Sequence, residues 1–171
     1  MRNALVATAC AAVILLAGCS STATTSSAPA SPAAEKSSAA KPLTAATALE
    51  AIAGSVSSAK LSSTVTAESD PNHLLGRPNQ YTSKVTFADS RISKSDADGF
   101  KKGDVELGGA IEVFGDASGA EARAKYIQAI GKSMPALAEY DYVHGSVVVR
   151  VSRFLTPAQA GDYKAAVANL G

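Results

Sequence analysis

Between Ala110 and Leu170 the spacing of apolar residues changes back and forth between two and three-to-four, and no other feature constrains the fold as tightly. Ile111 and Val113 alternate with polar or small neighbours, which is the period of a strand with one buried face. Ala120, Ala124, Ile127 and Met134 then recur on one helical face. Ser118 followed three residues later by Glu121 has the spacing of a capping box, which places the start of that helix there, and Pro135 marks its end. Tyr140–Val143 and Ser146–Val151 are β-rich runs separated by His144-Gly145, and Val147, Val149 and Val151 alternate with Val148 and Arg150. A two-residue hairpin follows. Thr156-Pro157-Ala158-Gln159 opens a last helix, with Thr as cap, Pro at the first helical position and Gln at the capping-box site. Ala160, Tyr163, Val167 and Leu170 form its buried face.

Upstream, Leu43, Leu49, Ile52 and Val56 share a helical face behind Thr44, which predicts a helix over Ala45–Ser58. Leu61–Glu68 reads as a strand with poor alternation, and Val85 with Phe87 as a half-buried one. The order α, β, β, β, α, β, β, α implies an α+β domain, residues 43–171. Its small antiparallel or mixed sheet is covered by helices, and its C-terminal portion is partly ferredoxin-like, β-α-β-β-α.

The N-terminus has a different character. Arg2 precedes an uncharged apolar stretch, Ala4–Leu16, that falls short of the roughly 20 residues a membrane-spanning helix needs. Small Ala17 and Gly18 then lead into Cys19. This pattern reads as a signal peptide over 1–18. Residues 19–42 are nearly all Ser, Ala, Thr, Pro and Lys, too poor in large apolar groups to offset the entropy of ordering. As a soft coil this linker would span roughly 25 Å. Its Ser/Thr/Pro content also suits O-glycosylation.

Leu16-Ala17-Gly18-Cys19 resembles the lipobox of bacterial lipoproteins. The resemblance implies diacylglycerol in thioether linkage on Cys19, then cleavage between Gly18 and Cys19, and a place on the extracytoplasmic face of the cell membrane. Two acyl chains make a durable anchor where one binds only marginally. Asp70-Pro71-Asn72-His73-Leu74-Leu75-Gly76-Arg77-Pro78-Asn79-Gln80-Tyr81-Thr82-Ser83-Lys84, with Phe87 and Asp89-Ser90-Arg91 behind it, is similar to a block in small actinobacterial lipoproteins. These also carry a Thr-Pro-Ala-Gln helix near the C-terminus. The resemblance implies an envelope location and carries no catalytic residues.

Composition narrows the partners. The chain has 16 Lys+Arg and 15 Asp+Glu, and loss of Arg2 with the signal leaves 15 of each. A balanced chain has no electrostatic reason to seek nucleic acid. Cys10 leaves with the signal, so Cys19 is the sole mature cysteine and no intramolecular disulfide can form. No cofactor signature is present. Gly108-Gly109 lacks the lysine and spacing of a phosphate loop, and Asp96, Asp98 and Asp104 lack the terminal Glu of a calcium loop and are read as a solvated turn.

The 70–84 block offers two readings. In one, Asp70 and Asn72 bond backbone amides and His73 or Arg77 ties the loop down. In the other, His73, Arg77 and Lys84 line a pocket for an anionic group, with Tyr81 as an apolar wall and Asp70 beside it. The only other histidine, His144, belongs to the hairpin tip, and no Gly-x-Ser-x-Gly elbow occurs. The expectation is a non-enzymatic binding or envelope-interaction module. It would be held by membrane lipid through Cys19, with an envelope protein, cell-wall component or small ligand as partner. The alternatives are an envelope hydrolase using His73 with Asp70, a small anionic-ligand-binding protein using the 70–84 loop, or a passive display protein.

Overall fold

The structure is a computed structural model that describes residues 43–171. The signal, Cys19 and the linker to residue 42 lie outside the described residues. Nine regular elements follow in chain order: α1 (Ala45–Ser55), β1 (Ala59–Thr64), β2 (Ser83–Asp89), α2 (Lys94–Ala97), β3 (Gly108–Val113), α3 (Ala117–Ser133), β4 (Glu139–His144), β5 (Val147–Ser152) and α4 (Pro157–Ala168). The fold is α+β. Every strand pair is antiparallel, in the order β1-β2-β3-β5-β4. Because β5 lies between β3 and β4, the stretch from β3 to α4 is the expected β-α-β-β-α unit, and β2 and β1 extend the sheet beyond β3. Among the described residues no helix is long and apolar enough to cross a membrane.

Local chemistry explains most element ends and several departures from expectation. Thr44 and Thr47 form a reciprocal capping box that starts α1. The helix stops at Ser55, three residues short of expectation, and the Ser58 hydroxyl instead donates to Asp89 at 3.1 Å as the chain enters β1. The cap of α3 is Asp116, not Ser118. Its carboxylate accepts from the Gly119 amide at 2.9 Å, and Ser118 Oγ donates to it at 2.7 Å. A carboxylate at a helix N-terminus is a stronger acceptor than a hydroxyl and meets the favourable end of the dipole. Glu121 is left to pair with Lys125 on the surface. Met134 terminates α3 with its side chain 49% exposed, outside the buried face formed by Ala120, Ala124 and Ile127.

The hairpin loop is Gly145-Ser146, one residue later than the sequence suggested, because His144 pairs with Val147 and only Gly145 accepts the positive φ of 53° without strain. β1 is displaced toward the N-terminus of the expected Leu61–Glu68 run, since Thr66 and Ser69 close a turn on each other through backbone and hydroxyl bonds. The capping box of α4 forms as the sequence reads, with Pro157 in the first turn. The Asp-rich stretch contains the short helix α2, opened by Ser93, rather than a turn alone.

The sheet separates two layers. Val85, Phe87, Ile111, Val147, Val149 and Val151 face α1 and α4, joined by Tyr163 and Leu155, and form the main core. A Cβ at Gly109 would collide with the Phe87 ring and the Arg150 carbonyl, which accounts for glycine there. On the other face a smaller cluster holds Tyr81, Phe114, Ala120, Ala124 and Val148 under α3.

Candidate functional site

Period-two alternation on three central strands sends an unusual set of side chains to the α3 face. Lys84 lies between neighbours that include Val85, Glu112 between Ile111 and Val113, and Arg150 between Val149 and Val151. Register then fixes adjacency, with Lys84 opposite Glu112 and Arg150 opposite Asp141 of β4. From above, α3 contributes Arg123 through the helical face that also carries Ala120 and Ala124.

Glu112 is the hub and is fully buried. It accepts from Arg123 Nε at 2.8 Å and Nη2 at 3.2 Å and from Arg150 Nη1 at 3.4 Å, and pairs with Lys84 Nζ at 3.2 Å. Burial alone would raise its pKa. The Arg123 hydrogen bonds and the charges of Arg150, Arg123 and Lys84 outweigh burial and hold the carboxyl below its usual range. Arg150 completes a two-pronged pair with Glu139, Nε to Oε1 at 2.8 Å and Nη2 to Oε2 at 3.1 Å. Asp141, next along the same face of β4, has both carboxylate oxygens buried with no hydrogen-bond partner among the described residues. Burial and the Glu139 charge push its pKa up to about 7.

Above the Lys84 end, the 70–82 segment folds back over the sheet. Asp70 organises it: the carboxylate accepts the amides of Leu74 at 2.8 Å, Leu75 at 3.0 Å and Asn72 at 3.3 Å, and the Tyr81 hydroxyl at 2.6 Å. These bonds overcome burial and pull its pKa down to about 2. Burial, with the same Asp70 contact, raises the Tyr81 hydroxyl above its normal range. Lys84 Nζ reaches Asp70 at 3.8 Å and lies 5.0 Å from the centre of the Tyr81 ring.

Three of the five residues singled out in the 70–84 block, Asp70, Tyr81 and Lys84, are thus brought together, but as buried supports. His73 and Arg77 do not join them. His73 is exposed on a left-handed backbone (φ 52°), and Arg77 is exposed beside a shallow cavity of about 310 Å³ with Thr82, Asp116 and Ser118. The anion pocket of His73, Arg77 and Lys84 therefore does not assemble, because Lys84 is neutralised by Glu112 and the Asp70 carboxylate is occupied by its own loop. A His73–Asp70 catalytic pair is absent for the same reason. His144 is half-buried at the end of β4, not at the turn itself.

The larger opening lies between this loop, α3 and the 3₁₀ turn Val105–Leu107, a cavity of about 680 Å³. Arg123, Arg150 and Glu139, all largely buried, form its floor. Leu74, Phe114, Ile127 and Ile130 supply apolar walls, and the side-chain amides of Asn72, Asn79 and Gln80 line the loop side. Tyr126 and Leu137 stand at the mouth, 59% and 48% exposed. Its volume falls within the few hundred to a thousand Å³ of small-molecule sites.

The sequence reading passed over Glu112, Arg123, Glu139, Asp141 and Arg150. A signal was present: an ionisable residue in each of three strands that prove interior to the sheet, Lys84, Glu112 and Arg150. Taken one strand at a time it looks like a solvated face. Elsewhere the Asp89 carboxylate receives Arg91, Ser58 and the Tyr163 hydroxyl at 2.6 Å, a fully satisfied tie between β2 and α4. Among the described residues no group of His, Cys, Asp and Glu could hold a metal, and Asp96 and Asp104 bond their own loops. Comparison with known proteins finds no matching family model, no matching curated protein and no matching solved structure.

Proposed function

We propose that the chain is a lipid-anchored extracytoplasmic binding module whose folded domain takes a small ligand into the cavity beneath α3. The observation that carries the binding half is the 680 Å³ opening over a charged floor in which every arginine is already paired. Such a floor is preorganised by the sheet, so a ligand meets fixed donors instead of mobile side chains. The site suits holding better than turnover. Burial displaces two carboxylates toward neutrality: Asp141 is not among the groups that line the opening, and Glu139, which is, has both oxygens engaged by Arg150. The anchor half rests on Leu16-Ala17-Gly18-Cys19 and the apolar run before it.

Two substitutions test the halves separately. Cys19→Ser should move the chain from the membrane fraction to the soluble extracytoplasmic fraction, and retention on the membrane would refute lipid anchoring at that residue. Ala122→Trp places bulk on an exposed position at the cavity wall. It should abolish recovery of a small molecule co-purifying with the chain, detected by mass spectrometry after denaturation, while the melting temperature holds. An unchanged ligand content would argue against this cavity.

A further inference from the structure

We infer that the cavity ligand is an uncharged, hydroxyl- and amide-bearing molecule with one apolar face, a neutral saccharide. This rests on the reading of the cavity as a binding site and names the chemistry it would select. Charge comes first. Arg123 and Arg150 are each held two-pronged by a glutamate, Lys84 is shared between Glu112 and Asp70, and Glu106 and Glu139 lie at the cavity surface. An anion would have to compete with carboxylates already in place and would meet their repulsion. A cation would face guanidinium groups on the floor.

Hydrogen bonding then excludes a purely apolar guest. A guanidinium has five N–H donors. Arg123 uses Nε and Nη2 on Glu112, and its Nη1 meets no acceptor among the described residues. Covering that donor, and the amide groups of Asn72, Asn79 and Gln80, with hydrocarbon would leave buried polar groups unsatisfied, which disfavours a purely apolar guest. Hydroxyl, ether and acetamido oxygens would satisfy them without adding charge. The third feature is Tyr126. More than half of its surface is open, and the Arg123 guanidinium lies 5.8 Å from its ring centre, so one ring face is braced. A braced, exposed aromatic ring beside side-chain amides offers a platform for the C–H face of a pyranose while the amides take its hydroxyls.

Saturation-transfer NMR on the mature lipidated chain in phosphatidylcholine nanodiscs, with empty nanodiscs subtracted, tests this with three probes: chitotriose, glucose 6-phosphate and 1-hexanol. The expected result is transfer to chitotriose that falls at least tenfold in Tyr126→Ala, a variant whose exposed site leaves the melting temperature unchanged. Transfer to glucose 6-phosphate or hexanol that is lost in Tyr126→Ala, with chitotriose silent, overturns the saccharide assignment and leaves the cavity as a binding site. Silence of all three probes, or chitotriose transfer insensitive to both Tyr126→Ala and Ala122→Trp, overturns the assignment and the cavity together.

Discussion

The two faces of the sheet are built from the same strands and held in opposite ways. Toward α1 and α4 the strands present Val, Ile and Phe, and cohesion there is the burial of apolar area, non-directional and tolerant of small changes of shape. Toward α3 the same strands present Lys84, Glu112 and Arg150, and cohesion depends on each charge having its partner at hydrogen-bond distance. Apolar packing closes space, whereas fixed ion pairs between a sheet and a helix keep the two apart by the length of an arginine. The cavity is on the ionic face.

The largest effect that can break this comparison is removal of the hub. Glu112→Ala takes a partner from three cations and leaves Arg123 with none among the described residues in a largely buried setting, and should cost about 3–5 kcal/mol of unfolding free energy. Ile111→Val, one residue away on the opposite face, should cost about 0.5–1.5 kcal/mol. Chemical denaturation of the two variants measures the ratio, and equal losses would mean that the ionic face is not the more brittle one.

Asp141 sharpens the contrast through pH. Its folded pKa of about 7 lies above the ordinary value of 3.8, so the folded state holds a proton that the unfolded state releases between those limits. Its contribution to stability is complete below about pH 4, declines as pH rises through 7 and is flat above. Asp141→Asn should remove that slope and leave the variant about 1–2 kcal/mol more stable at pH 8, once solvent screening is allowed for. Thermal melts of both chains from pH 4 to 8 decide it, and parallel curves would place the carboxylate in contact with water. Asp70 has the opposite sign: its pKa of about 2 lends stability that is present above pH 4 and lost as pH falls toward 2.

The smallest expected effect concerns how α3 is set over the ionic face. Asp116→Ala should lower the melting temperature more than Ser118→Ala, since the carboxylate, not the hydroxyl, holds the Gly119 amide. The reverse order would restore Ser118 as the cap.

Much of the architecture was legible because its signals are local. Thr156 to Gln159 start a helix wherever they occur, and Val147, Val149 and Val151 mark one buried face of a strand without reference to anything else. Boundaries failed where another group competed: Ser58 leaves α1 for the distant Asp89, and the neighbouring Asp116 outcompetes the Ser118 motif. The site was harder to read. Asp70, Tyr81 and Lys84 drew notice as a dense polar block and proved to be supports, whereas Glu112 and Arg150 were hidden as the outward half of an alternating pattern.

Periodicity and capping, which act within a few residues, determined the order of elements, the apolar face and the α+β class. The proposal of a lipid on Cys19 rests on an equally local signal, the resemblance of Leu16-Ala17-Gly18-Cys19 to a lipobox. Strand order and register lie beyond that range, because residues 84, 112, 123, 139, 141 and 150 meet only when β5 inserts between β3 and β4 and α3 closes over them. A charge in a strand reads as solvated until the partner that covers it is known. Electrostatics at contact distance depends on separation in space, and the tertiary fold alone decides that.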